Sequence, residues 1–285
     1  MKHESIRSRK NFLKLSAIIT RLIERWRARP LACRAIILAA LVVPAGLHAG
    51  QGPALVFRMD SLERSSGECP GKPCVTLRVR YPQIVALRPA RFQDSLTVFI
   101  QETLLGKHDP RGVAPILNAV LDSLAAQHRS LPADQAAMPW LVERSIAVIG
   151  DTLGIVTLDV EEFRSSGGAH PLSMHLLYML EPSTMRMLSL DDLVPPEKKG
   201  MLKEKAEKAF RMARHIQPGA TLESAGFTFP ADKFELTLNV GLTRDGLIFH
   251  YNPYEIAPYV MGPTRVTVPW KSLAGVLRAP SPPAR

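Results

Sequence analysis

Two hydrophobic periods take turns along this chain, and their order limits the folds open to it. Val75, Leu77, Val79 and Tyr81 alternate with Thr76, Arg78 and Arg80. That period of two is the mark of a half-buried strand, ending at Pro82. Phe92, Leu96, Phe99 and Ile100 then recur at helical spacing. After the breaker His108–Gly112, a second helix is carried by Val113, Ile116, Leu117, Val120, Leu121 and Leu124. Leu141–Ile149 and Ile155–Phe163 flank Gly150-Asp-Thr-Leu-Gly154 and predict an antiparallel hairpin with a longish turn. Leu172–Leu180 is a strand, turned by Glu181–Thr184 into Arg186–Leu190. Pro195-Pro196 opens a helix over about 197–214, with Leu202, Ala206, Ala209, Phe210 and Ala213 on one face. Phe234, Leu236, Leu238 and Val240 alternate again, and Asp245-Gly246 turns the chain into Leu247–Tyr251. Val266–Trp270 is an edge strand because of Pro269, and Trp270–Leu277 reads as a short helix. Hairpin strands with helices grouped between them predict an α+β fold, with antiparallel sheets, helices packed on one side and two small subdomains.

Charge is distributed very unevenly. The 285 residues have a net charge of +10. Residues 1–49 hold ten basic and two acidic side chains, net +8, which leaves the remainder near neutrality. This removes the main support for a nucleic-acid reading, which needs a basic patch on the folded part. The uncharged run Ala35–Leu47 follows Arg34 and is closed by the small residues Ala49 and Gly50. A basic region, a short apolar stretch and a small residue read as a secretory signal. A bilayer-spanning helix takes about 20 apolar residues. The expectation is therefore export to the periplasm or beyond, with cleavage after Ala45 or Ala49. The alternative is an inner-membrane anchor at 35–49, with the amphipathic leader contacting that membrane. Either way, positive charge keeps the N-terminus inside and sends the rest outward.

Cys69 and Cys74 are the two cysteines beyond the leader, flanking the turn Pro70-Gly71. An oxidising compartment would join them in a disulfide. A four-ligand metal site would need further Cys or His partners, and a thioredoxin-type pair would need two intervening residues instead of four. We read the pair as a structural staple.

The stretch Gly167-Gly168-Ala169-His170-Pro171, followed by a strand and Leu188-Ser-Leu-Asp-Asp-Leu193, resembles the RsiV-like C-terminal domain family. So does Asp245-Gly246-Leu-Ile-Phe249-His-Tyr251-Asn-Pro-Tyr254-Glu-Ile-Ala257-Pro258-Tyr-Val-Met-Gly262. The segment before it is similar to the domain that precedes this one in PdaC-like proteins. The resemblance implies an extracytoplasmic location. It also implies one of two roles: a sensor that captures a muramidase, or a companion to a glycan deacetylase. Leu172 stands where the family usually has a polar residue. The domain organisation expected is a leader at 1–49, a linker at 50–72, a PdaC-like domain at 73–165, an RsiV-like domain at 166–278 and a Pro-rich tail at 279–285.

The candidate binding residues are His170, Tyr251, Tyr254 and Tyr259, because Tyr and Pro supply rigid contact area in recognition surfaces. Gly167, Gly168, Pro171, Gly246 and Gly262 are assigned structural roles. His170 and His175 lie five apart on a strand and therefore on opposite faces, which argues against a shared metal ion. Asp191-Asp192 reads as a turn or helix cap, and Glu161 and Glu162 point apart. The sequence contains no nucleophile elbow, zinc-protease, phosphate-loop or dinucleotide fingerprint. It leans away from an enzyme, with no cofactor expected. The leading function is a binding or sensing module for a muramidase-like protein or peptidoglycan. The alternatives are an anchored anti-sigma-type regulator and a cell-wall deacetylase or hydrolase built around His170.

Overall fold

The computed structural model of the protein describes residues 55–67, 69 and 74–278. The leader, its cleavage sites, Pro70-Gly71 and the tail at 279–285 lie outside the described residues. Among the described residues, nine strands and three longer helices follow in the order β1 (Leu55–Ser65), β2 (Val75–Leu87), α1 (Gln93–Leu105), α2 (Val113–Arg129), β3 (Trp140–Thr152), β4 (Ile155–Ser165), β5 (Leu172–Glu181), β6 (Arg186–Leu188), α3 (Lys199–Ala213), β7 (Val240–Thr243), β8 (Gly246–Tyr251) and β9 (Thr264–Pro269). The first six strands form one sheet in sequence order and the last three form another. The class is α+β, as the two periods predict. No helix among the described residues is long and apolar enough to cross a membrane.

The large sheet is mixed, which corrects the expectation of purely antiparallel sheets. β2 runs parallel to β3, from Val75↔Trp140 to Arg80↔Ser145, while every other pair in the sheet is antiparallel. A parallel pair needs a long crossover, and α1 and α2 supply it. They cover one face of the sheet, burying Leu77, Val79, Val142 and Ile146 to within 2% of full burial. β2 also runs on through Pro82 to Leu87. The β3 pairing has already ended at Arg80, so the missing N–H of Pro82 costs no ladder bond on that side.

Two assigned boundaries move. Residues 55–65 of the supposed linker form edge strand β1, paired with β2 from Leu55↔Leu87 to Ser65↔Thr76. The division at 165/166 falls inside the sheet, because β5 pairs with β4 along its length and β6 pairs with β5. The β3–β4 hairpin also closes more tightly than expected. Its turn is Leu153-Gly154 alone, both with positive φ (58° and 72°). That is the turn whose twist matches a hairpin.

The small sheet sits on the other face of the large one, over β3, β4 and β5. Thr157 Oγ1 accepts the Leu242 amide at 3.1 Å. A side chain on Gly150 would collide with the Leu242 carbonyl. β8 is buried along all six residues. Leu247, Phe249 and Tyr251 face a core shared with Phe210 of α3 and with Phe227, Phe229 and Phe234. Ile248 and His250 take the opposite parity, toward the large sheet.

The alternation at Phe234–Val240 does not make a long strand, since only Val240–Thr243 pairs. Phe234 is buried but Leu238 is 92% exposed, and Asn239 is diverted to β5 by its side chain. The β7–β8 turn is centred on Arg244-Asp245. Gly246 is the first residue of β8, where a β-carbon would strike the Val268 carbonyl. Trp270–Leu277 forms no helix beyond the three-residue turn Trp270–Ser272. Asp192 does cap the short helix Leu190–Leu193, accepting the Ser189 amide at 2.7 Å and its hydroxyl at 2.8 Å. Cys69 and Cys74 are joined in a disulfide, with Cα atoms 6.1 Å apart.

Candidate functional site

Past residue 178 the far edge of β5 is covered by β6, but before it that edge has no strand neighbour among the described residues. Two asparagines take the place of one. Asn239 Oδ1 accepts the Leu177 amide at 2.7 Å and its Nδ2 donates to the His175 carbonyl at 2.8 Å. Asn252 Oδ1 accepts the His175 amide at 2.7 Å and its Nδ2 donates to the same carbonyl at 2.9 Å. Each side-chain amide imitates a peptide group. Together they pin both ends of β7–β8 to β5.

Beyond Asn252, the loop from β8 to β9 lies against the start of β5 and builds an aromatic plate. The His170 and Tyr259 rings stack with centroids 3.6 Å apart and planes at 13°. His170 Nδ1 lies 3.1 Å from the Pro171 carbonyl, so that nitrogen carries the proton. Nε2 then accepts the Tyr254 hydroxyl at 2.8 Å. Tyr259 donates to the Pro171 carbonyl at 2.7 Å. Tyr254 has φ 68°, a conformation that costs a bulky residue on the order of 1–3 kcal/mol. Even so its side chain is exposed, as are His170 and the neighbouring Val260. Burial, with the nearby Tyr259, moves the Tyr254 phenol upward from its ordinary value.

The structure thus brings His170, Tyr254 and Tyr259 together, and excludes Tyr251 from the group. Tyr251 has the strand parity of Leu247 and Phe249. It is 2% exposed among the α3 core phenylalanines, and its hydroxyl donates to the Glu235 carbonyl at 2.7 Å. Its role is core packing, which corrects the binding assignment. Gly167 takes φ 78° against Met138, and Gly262 takes φ 67° where the turn Tyr259–Met261 ends. Pro171 contributes its carbonyl to both Tyr259 and His170.

A second polar group, absent from the sequence reading, lies in the seam between the sheets. Asp159 accepts from His175 Nδ1 at 2.9 Å through one oxygen and from Arg265 Nη2 at 2.8 Å through the other. Arg265 Nε donates to His250 Nδ1 at 3.2 Å, and the His175 and His250 rings lie 4.8 Å apart. Glu161 receives the Ser173 hydroxyl at 2.8 Å and lies 3.6 Å from His175 Nε2. Burial would raise the Asp159 carboxyl, but His175 and Arg265 outweigh it and hold the group below the usual carboxylate range. Burial, helped by the charges of His175 and Arg265, pushes the His250 imidazole down to about 4. Burial raises Glu255, which accepts the Asn252 amide. One sequence signal for this group was available: His250 interrupts an otherwise apolar strand. The pairing of Asp159 with Arg265, 106 residues apart, left none. Among the described residues, no cluster of three or more His, Cys, Asp or Glu has metal-binding geometry.

Residues 191–271 match the family described as "Protein of unknown function (DUF3298)". The DUF3298 segment supplies His250, Asn252, Tyr254, Tyr259 and Arg265. Asp159, His170 and His175 come from strands and loops ahead of it. Two solved structures of DUF3298-family proteins share the fold. One, from Bacteroides fragilis, has TM-score 0.65 and 19% identity, covering 80% of this chain and 96% of that one. The other, from Pseudomonas aeruginosa, has TM-score 0.58 and 20% identity, covering 81% and 98%. Among curated proteins, the chain is 24% identical over 134 residues to Immunogenic protein MPT64 of Mycobacterium tuberculosis and to Immunogenic protein MPB64 of Mycobacterium bovis. These alignments cover 44% of this chain, which spans about half (53%) of the length of those curated relatives.

Proposed function

We propose that this protein is an exported, non-catalytic binding module of the cell envelope, and that the plate of His170, Tyr254 and Tyr259 is where it takes a protein ligand. A muramidase is the first partner to try, from the resemblance of the Gly167–Pro171 and Asp245–Gly262 stretches to RsiV-like sensors. The observation that carries the proposal is the plate itself. Three rings are held rigid by stacking and hydrogen bonds, one on a backbone that resists it, yet they stay partly open to solvent. Aromatic side chains ordered before contact lose little entropy on binding and dominate interface energetics. The same ring faces suit a cell-wall glycan, which is the second reading.

The test is titration of the immobilised protein with a lysozyme-type muramidase and, separately, with peptidoglycan fragments. The proposal expects micromolar or tighter muramidase binding. Tyr254→Ala and Tyr259→Ala should each weaken it by about tenfold or more, the level of an interface hot spot. Binding of fragments alone would move the assignment to the glycan reading. Silence toward both at micromolar concentration would overturn it. Export rests on the basic leader, and the intact mass of the protein recovered from its native envelope tests it. A mature N-terminus near Gly46 or Gly50 supports a secreted module. Retention of residues 1–34 supports an anchored, anti-sigma-type regulator.

A further inference from the structure

His250 is the one histidine in β8, and it is 3% exposed. Its Nδ1 accepts the Arg265 Nε–H, so the ring is neutral with its proton on Nε2. Nε2 is fully buried, with no hydrogen-bond partner. Adding a proton to Nδ1 would set one N–H donor against another and place a second cation beside the guanidinium. The groups around His250 come from every element packed against it: Arg265 of β9 on its Nδ1, His175 of β5 beside its ring, Asp159 of β4 bridging those two, and Asn252 of the loop that follows, with Glu161 against His175 and Glu255 on the Asn252 amide.

We propose that this seam is an acid-opened latch: when His250 takes up a proton, the small sheet β7–β8–β9 and the loop between β8 and β9 release from the large sheet. The contacts of Tyr254 with His170 and of Tyr259 with the Pro171 carbonyl part with them. Opening is a property of the seam and does not depend on what the plate binds. The sign follows from linkage. Released into water, His250 binds a proton near its ordinary 6.5, whereas the docked ring resists until about 4. The docked form therefore binds fewer protons across that window, and acid draws the equilibrium toward the open form. Closure is complete above pH 6.5 and is lost progressively toward 4. Asp159, held below its ordinary value, remains an anion through the window. Glu255, raised by burial, acts in the opposite sense near its own ordinary range.

Amide hydrogen exchange of the full chain between pH 7.5 and 4.5, corrected for intrinsic exchange rates, tests the latch. The reporters are the His175 and Leu177 amides held by the asparagines and the Leu242 amide held by Thr157. The amides of Leu77 and Val79, beneath α1 and α2, serve as the reference. The expected result is an opening constant that grows up to tenfold per pH unit below 6.5, about a hundredfold in all, at the reporters but not at the reference. His250→Gln should flatten that dependence. Equal pH dependence at both sets of amides, or an unchanged slope in the variant, overturns the proposal. Should the variant fail to fold, the imidazole titration of His250 in the unmodified protein decides by NMR. A midpoint below 5 supports the latch and one near 6.5 overturns it.

Discussion

Replacing Gly150 by alanine tests how closely the two sheets are docked. A β-carbon there would land on the Leu242 carbonyl, with the Leu242 carbonyl carbon at 3.1 Å and Thr243 Cα at 3.2 Å. All three atoms are backbone, so no side-chain rotation gives relief and β7 must move by on the order of 1 Å. Overpacking of this kind costs about 1–3 kcal/mol, and the rigid obstacle puts Gly150→Ala at the upper end. A shift of β7 also stretches the Thr157–Leu242 hydrogen bond, which is worth roughly 1 kcal/mol. The expected loss is about 3 kcal/mol, or roughly 6–12 °C in Tm for a domain of this size. Gly154→Ala is the control. It has open space around it, but its φ of 72° costs an alanine roughly 1–2 kcal/mol. Urea denaturation of both variants measures the difference. If Gly150→Ala proved no more destabilising than Gly154→Ala, the close approach of β7 to β3 would be refuted.

Three further outcomes are expected. Asp159→Asn removes the anion between His175 and Arg265 and should cost about 2–3 kcal/mol, less than a fully buried pair because Arg265 is 37% exposed. Because the folded Asp159 carboxyl is depressed, its contribution is present above about pH 4 and lost as pH falls through the folded value. Denaturation profiles in acid should therefore show that loss in the unmodified protein and not in Asp159→Asn. Tyr251→Phe should cost roughly 1 kcal/mol for the bond to the Glu235 carbonyl, whereas Tyr251→Ala should cost about 3–5 kcal/mol by opening the core around Phe210. Equal effects in calorimetry would contradict the packing role. Reduction of Cys69–Cys74 should lower stability by about 2 kcal/mol through the short loop it closes. A Tm unchanged by reductant would contradict this.

Elements were legible wherever one face met a core and the other met water. Val75–Tyr81 and Leu202–Phe210 show their periods because burial on one side selects apolar residues at fixed steps. The Phe234–Val240 alternation misled because Leu238 has no core beneath it. Exposed apolar residues are ordinary on protein surfaces. Tyr251 was misplaced for a related reason: composition groups it with Tyr254 and Tyr259, but strand parity turns it inward while the following loop turns the other two outward.

By itself the sequence determined the class of the fold, most of its strands and helices and the disulfide pair, since each depends on neighbours a few positions away. The tertiary structure alone decided the parallel β2–β3 pairing, the unbroken sheet across 165/166, the asparagine clamps on β5 and the seam of Asp159, His175, His250 and Arg265. These depend on which surfaces meet in three dimensions, from adjacent strands to residues 106 positions apart. Local periodicity reports that a face is buried, but not what buries it.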